Sequence, residues 1–478
     1  MENPVLKTKI TIAGTLLGCT AVMLGHLNSD AVASRGASGD TFPDVIVGSM
    51  HNIQRYGQVD GIAAYAVGTT SCNQGNDFLE WNGDNNFHPT IGQNMYRVVD
   101  LPGGCSRIEQ IGMSWLKHGF CALQGTLCGP CDNSGGGGCA TRLGWNCSDP
   151  YDSYYNGQQS NLGPREPVNA STGFFPYPFS APGYQATIGR RMQVSSADLN
   201  PSNYPSSTSS FFVEGMYVHP EDAAACMGFN NASYRPVSIS GSGNNGFDIN
   251  LESSTRQMLP AVFAWQEMDD DVEITEVKLS DCYQSGLNET FYIGSKACEL
   301  GNGMWHYEYA VYNLDCDVAI SKFAVPASMG ENIFQKLPQY HSGSVIYNAP
   351  WTEDMDTSEG MMSWSARSYG SNPEGNAIRW NSMSTFAFDT DSPPVEGEAV
   401  VGLFKTGFDM VVSNILVPNA EPGASCTADI NGDCVVDGQD LAQILANWNS
   451  AGGDVNGGGN TNGQDLSTVL ANWECDCN

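Results

Sequence analysis

The sequence predicts a mainly β protein: an antiparallel β-sandwich body with disulfide-rich loops, followed by a small α-helical C-terminal domain. Three observations carry this reading. Short apolar or alternating runs, separated by Gly, Pro, Asn and Ser, fill the body. Sixteen cysteines are present, and Cys121, Cys128, Cys131, Cys139 and Cys147 crowd around a run of four glycines, Gly135–Gly138. From Cys426 onward there is no Lys or Arg, and eight acidic residues appear.

Composition narrows the class. Of 478 residues, 41% are hydrophobic and 15% charged, a balance that folds rather than stays disordered. A formal charge of −32 argues against nucleic acid or an anionic membrane surface as partner, since both are polyanions. The same acidity favours cations.

In chain order, residues 1–33 read as a secretory signal peptide. Lys7 and Lys9 precede an apolar run from Ile10 to Leu27, and Ala31-Val32-Ala33 has the small-x-small form of a cleavage site. No later segment reaches the ~18 continuous apolar residues of a transmembrane helix. Removing the leader takes Cys19 with it and leaves an odd number of cysteines, so at least one thiol is expected free or intermolecular. The Cys128–Cys131 pair alone resembles half a zinc site. No second matching pair follows, and disulfides are the favoured reading.

Residues 34–240 form a β- and loop-rich, cysteine-containing region. Strand-like runs appear at Asp44–Val47, Gly61–Val67, Thr187–Val194 and Phe211–Val218, and Ile108–Leu116 reads as one short helix. The glycine- and serine-rich Ser240–Gly246 run marks a break, and residues 241–418 carry the sandwich pattern. Its clearest strand is Trp305–Val311, where Trp305, Tyr307, Tyr309 and Val311 share one face in the manner of a half-buried strand. Phe323 with Val325, and Phe386 with Phe388, continue the alternation, and Asn376–Trp380 adds a further strand-like run. Residues 419–425 form a linker.

Residues 426–478 contain a repeat of 25 residues. The first copy places oxygen side chains at Asp429, Asn431, Asp433, Asp437 and Asp440, which are positions 1, 3, 5, 9 and 12 of an EF-hand-type loop, with the carbonyl of Val435 at position 7. A hard dication wants six to eight oxygens, and a tight loop aims alternate side chains inward. The second copy offers Asp454, Asn456, Asn460, Asn462 and Asp465, but Gly458 removes the ligand at position 5. Loop two therefore carries two carboxylates against four in loop one. Each loop feeds a helix whose apolar residues, Leu441, Ile444, Leu445 and Trp448 in one copy and Leu466, Val469, Leu470 and Trp473 in the other, are expected to form the core.

This tail resembles the type I dockerin, and more narrowly the dockerin-like C-terminal modules of secreted planctomycete proteins. The resemblance implies calcium held by the loop residues named above. It also implies recognition of a cohesin-like partner through positions 10 and 11, here Gly438-Gln439 and Gly463-Gln464. Cys434 stands at position 6 of loop one, where such loops carry Gly. Cys426, Cys434, Cys475 and Cys477 allow two disulfides in any of three connectivities. The body looks similar to uncharacterised secreted planctomycete proteins, a likeness that brings no activity with it.

The body holds no Gly-x-Ser-x-Gly, His-Glu-x-x-His, P-loop or dinucleotide fingerprint, and its catalytic residues are unknown. His219-Pro-Glu221 reads as a surface turn rather than a base–acid pair, and His306 as the outward side of its strand. The acid clusters Glu267–Asp271 and Glu353–Asp356 would supply the carboxylates of a glycoside hydrolase. Two functions follow. The first is a secreted or cell-surface protein whose tail anchors a β-rich binding or structural body in a polysaccharide-associated assembly. The alternative is a dockerin-bearing polysaccharide hydrolase.

Overall fold

A computed structural model describes residues 8–12, 41–180, 182–242, 246–281, 285–301, 303–340, 344–357, 359–419, 428–431, 435–456 and 458–473. The expected leader lies outside these residues except for Thr8–Ile12, a short strand running parallel to Glu273–Ser280. The linker also lies outside them, apart from Asn419.

The body is built from three antiparallel layers of strands. The first sheet orders its main strands as Asp248–Leu251, Ala232–Ser240, Ser209–Val218, Thr90–Leu101, Cys105–Met113, Met192–Ser195, Ile62–Asn73 and Val45–Val59. It curls so that Val45–Val59 lies against Ser209–Val218 and Ala232–Ser240, and Val47, Tyr65, Met95, Ile111, Val213 and Tyr217 fill the interior. The strand after the Ser240–Gly246 run thus pairs back into the first sheet. A second sheet (Glu273–Ser280, Glu289–Gly301, Met304–Asn313, Ser382–Thr390, Glu331–Lys336) lies against its outer face. There Tyr96, Ile108 and Met216 meet Tyr292, Tyr312 and Met383. A third sheet (Thr352–Asp356, Met361–Ser365, Ile320–Pro326, Pro394–Leu403, Asp409–Pro418) closes the far side as a sandwich, with Tyr309, Phe386 and Phe388 packed on Phe323, Trp364 and Val401.

This stacking explains where sequence patterning misleads. Cys105–Met113 is a strand, and the helix read at Ile108–Leu116 does not exist. Ile108 faces the core between sheets while Ile111 faces the interior of the curl, so both faces are buried and the period-two signal is lost. Trp305–Val311 does alternate, yet from Tyr307 onward both faces are buried because the first sheet covers the second. Asn376–Trp380 makes only an isolated bridge at Ile378 before turning at Asn381, whose φ is 50°.

Disulfides Cys72–Cys128, Cys121–Cys139 and Cys131–Cys147 staple the glycine-rich loops to the first sheet, and Cys105–Cys298 ties the first sheet to the second. Cys128 and Cys131 go to different partners, which disposes of the half zinc site. Cys226 is also oxidised, and Cys316 is free and buried, a thiol of the kind the odd count anticipates. Four such bonds among the described residues are those of a chain folding in an oxidising compartment. No helix of the described residues is long and apolar enough to cross a membrane.

Between the first two sheets lies a buried carboxylate, Glu214. Its Oε1 accepts from Asn94 (3.1 Å), Tyr96 (3.1 Å) and Asn381 (2.7 Å), and its Oε2 from the N–H of Ala261 (2.6 Å) and the hydroxyl of Tyr312 (3.1 Å). Arg165, itself buried, donates to Asn94 Oδ1 and Asn381 Oδ1 and so faces the carboxylate across one layer of amides. Burial raises the Glu214 pKa, and the donors pull against it. Glu214→Ala leaves those donors without an acceptor and should cost about 3–5 kcal/mol in denaturant unfolding. A loss under about 1 kcal/mol would contradict the assignment.

Asp149 is a second buried acid: one oxygen accepts the N–H of Leu123 (2.6 Å) and the other has no partner, and burial pushes the group up to about 8 against that hydrogen bond. Asp315 is likewise raised to about 8 by burial. A folded-state pKa above the unfolded value means the native state holds the extra proton. Stability from these groups is then complete below about pH 4 and lost as pH rises towards 8. The urea midpoint should fall between pH 5 and pH 8, and Asp149→Asn should flatten that fall; parallel curves for the two proteins would refute the sign.

Candidate metal centre

The C-terminal repeat folds as two copies of one local structure. Helices Gly438–Ala446 and Gly463–Ala471 start where Asp437 and Asn462 accept the N–H of Gln439 (2.6 Å) and Gln464 (2.8 Å). Each also closes a capping box with the acid three residues on. Those acids, Asp440 and Asp465, are fully buried. Asp440 Oδ1 accepts from the backbone of Ile430 (2.8 Å) and Asn431 (3.2 Å), and Oδ2 from Asp437 (2.9 Å). Asp465 repeats this with Val455 (3.1 Å), Asn456 (3.2 Å) and Asn462 (2.8 Å). Desolvation would raise both carboxyls, but the backbone donors outweigh it and hold each below the usual range. Position 12 therefore ties its loop together while ionised.

Loop two shows how its remaining oxygens converge. Asp454 Oδ1 and Asn456 Oδ1 both accept the N–H of Gly458 (2.9 and 2.8 Å), and Asp454 Oδ2 accepts that of Gly459 (2.6 Å). The glycines thus direct donors at the carboxylate where loop one carries an acid. Asn460 is exposed and its carbonyl accepts from Asn462 Nδ2 (2.8 Å). In loop one, Asp429, Asn431, Val435, Asp437 and Asp440 are described, whereas Asp433 and Cys434 lie outside the described residues. The donor set of loop one, hard oxygens with several carboxylates, suits a hard divalent cation; that of loop two, with its own N–H groups on Asp454, suits one less well.

The helix faces depart from expectation. Ile444 and Val469 are buried and Leu441 and Leu466 partly so. Leu445 (58% exposed), Trp448 (42%), Leu470 (55%) and Trp473 (41%) lie on the surface instead of in the core. Two nine-residue helices bury only one narrow stripe against each other, and both tryptophans fall past their helix ends.

In the body, the sequence-selected groups are engaged elsewhere. Glu267 pairs with Arg256 and accepts from Tyr234 (2.5 Å), and Asp269 pairs with Lys296 and Ser106. Glu353 is exposed and accepts from Gln335 (2.7 Å). His219 is no surface turn: it is buried, caps helix Pro220–Ala224 by accepting the N–H of Glu221 (3.1 Å), and meets the Glu80 carbonyl (2.8 Å). Burial lowers its pKa to about 3. His306 does not face outward either. It lies between Asp389 (2.5 Å) and Glu308 (2.7 Å), and Arg107 of the first sheet donates to both oxygens of Glu308. Burial would lower the His306 pKa, and the two carboxylates raise it above the ordinary value.

The His88–His118 contact (3.0 Å), lined by Phe175 and Phe179 and next to a buried Lys117, joins residues too far apart in sequence to signal it. Two crevices, both lined by Arg165, Glu166 and Tyr340, have room for only about one or two waters each.

No protein-family model matches the chain, and no curated protein matches it. Among solved structures, part of the chain aligns with a GH20 exo-β-N-acetylglucosaminidase from Vibrio harveyi in complex with N-acetylglucosamine. The TM-score is 0.17 and the identity 11%, over 27% of this chain and 19% of that one. The chain spans about a fifth of that protein's length, and so slight a likeness carries no argument.

Proposed function

We propose that this is an exported protein whose C-terminal loop–helix repeat binds calcium and docks a β-rich body into an extracellular assembly associated with polysaccharide. The observation that carries the reading is the exact duplication of a buried, ionised acid at position 12 of each loop, together with a matching Leu–Trp pair left exposed beyond it. Among the described residues of the tail, four hydrophobic side chains are fully buried, Ala428, Val436, Ile444 and Val469, a small apolar core for such a module. A cation bound between the acids of loop one supplies the missing cohesion. The exposed pairs, Leu445 with Trp448 and Leu470 with Trp473, offer a cohesin-like partner two equivalent apolar surfaces. On the body, exposed Tyr155 meets exposed Phe120 and Tyr154 edge to face, and the three provide surface for stacking on sugar rings.

Calcium titration of the full chain by calorimetry tests the first step. Asp440→Ala should weaken the tail site at least about tenfold, and Asp465→Ala less, because loop one carries more ligand charge. Equal effects, or none, would sink the reading.

A further inference from the structure

A chain of alternating charge runs through the seam between the first two sheets. It starts at Asp389 of strand Ser382–Thr390, whose Oδ1 meets His306 Nδ1 (2.5 Å), and the same imidazole meets Glu308 Oε1 through Nε2 (2.7 Å). Arg107 of the first sheet carries the chain on. Its Nε lies 2.9 Å from both Glu308 oxygens, and its Nη1 3.9 Å from Glu109 Oε1. Glu109 in turn pairs with the guanidinium of Arg97, which also reaches Asp198 Oδ1 (3.3 Å). Lys336, on the edge strand Glu331–Lys336 of the second sheet, closes the chain on Asp198 Oδ2 (3.5 Å). The inner members are buried: Glu308 is 0% exposed, Arg97 1%, and Glu109 and Asp389 6% each.

Acids and bases are equal in number along this chain only while His306 is protonated. Imidazole is the one member type that ordinarily changes charge near neutral pH, so the balance hangs on its proton. Burial alone would lower the His306 pKa, and the Glu308 and Asp389 carboxylates raise it above the ordinary value. The other groups around it do not stand in for that charge. Cys298, its cross-strand neighbour, is bonded to Cys105, Lys296 pairs with Asp269, and Glu331, across from Asp389, is exposed.

Once neutral, an imidazole keeps one N–H, and one of the two carboxylates then faces a lone pair at hydrogen-bond distance. Glu308 still has Arg107. Asp389 has, among the described residues, the side-chain amide of Asn332 (2.6 Å). Asn332 belongs to Glu331–Lys336, which pairs with Ser382–Thr390 alone, breaks register between Glu331 and Phe334, and holds Asn332 at a φ of 48°. A strand attached on one side, with its ladder interrupted, is the part of the seam that opens most easily.

We propose that His306 is a proton-operated latch: its imidazolium holds edge strand Glu331–Lys336 on the seam through Asp389, and loss of the proton at alkaline pH lets that strand open while the rest of the body stays folded. The latch involves none of the C-terminal loops, so it stands or falls separately from the calcium reading. A folded pKa above the unfolded one means the latch is fully closed below about pH 6.5. Protection then falls by up to about tenfold per pH unit and levels off past the folded value.

Hydrogen–deuterium exchange of the full chain from pH 6 to pH 9, corrected for the intrinsic rate at each pH, reads this directly. Protection in a peptide spanning residues 329–337 should fall across that range, while a control peptide spanning 62–73 stays unchanged. His306→Gln removes the titrating charge, so residues 329–337 should exchange at pH 6 as fast, after correction, as the wild type does at pH 9, with no further dependence on pH. A flat wild-type profile overturns the proposal, as does an equal fall in the control peptide. So does a folded His306→Gln protein that repeats the wild-type fall. Should that variant fail to fold, the wild-type profile decides, and a fall confined to residues 329–337 upholds the latch.

Discussion

A carboxylate with no water around it sets the relation between the two halves of the body. Glu214 projects from a strand of the first sheet, and its five donors come from that sheet, from the segment at Ala261, from Tyr312 of the second sheet and from Asn381, the turn residue just before that sheet's strand Ser382–Thr390. Such a group tolerates few alternative arrangements. Sliding one sheet on the other by a residue would strip donors from an anion in a medium of low polarity, at a cost of several kcal/mol. Apolar contacts such as Tyr96 or Met216 against Tyr312 or Met383 would accept small shifts, whereas the hydrogen-bond set does not. The Arg107–Glu308–His306–Asp389 chain makes a second polar tie across the same seam, and Cys105–Cys298 adds a covalent one. Packing holds the layers together, and the buried polar groups fix how they are registered.

That arrangement also explains what sequence could and could not disclose. Strands with one dominant apolar face, such as Met304–Asn313, announce themselves by alternation. Cys105–Met113, buried on both faces, does not, and its Ile108–Leu116 stretch imitates a short helix. Polar residues whose partners lie far along the chain give no local sign. Glu214 is 167 residues from Asn381, and His88 is 30 from His118. His219 looks like a turn residue because its neighbour is proline, yet the Glu80 carbonyl that buries it arrives from a different strand. The cysteine crowd was legible as disulfide chemistry, but its pairing, which splits Cys128 from Cys131, follows only from the fold.

The tail is the opposite case. The backbone hydrogen bonds that Asp440 and Asp465 accept span ten residues or fewer, as in Ile430 to Asp440, and the repeat doubles the signal. The positions of Asp440 and Asp465 were therefore readable with their loops. The exposure of Leu445 and Trp448 was not, because helical periodicity names an apolar face without saying how much neighbouring surface exists to cover it. The same residues that fail to form a core are the ones that a docking partner would bury.

The tail also accounts for how an acidic chain could be conditionally ordered. On the proposed calcium reading, the carboxylates of loop one become ligands and binding orders the segment that carries them. Loop two, where Gly458 and Gly459 already donate to Asp454, should respond less. Hydrogen–deuterium exchange of the full chain, resolved to peptides spanning residues 428–446 and 453–471, measures this directly. The account requires calcium to slow exchange in both peptides, and most in the first. Exchange unchanged by calcium in both, under conditions where the body is folded, would contradict it.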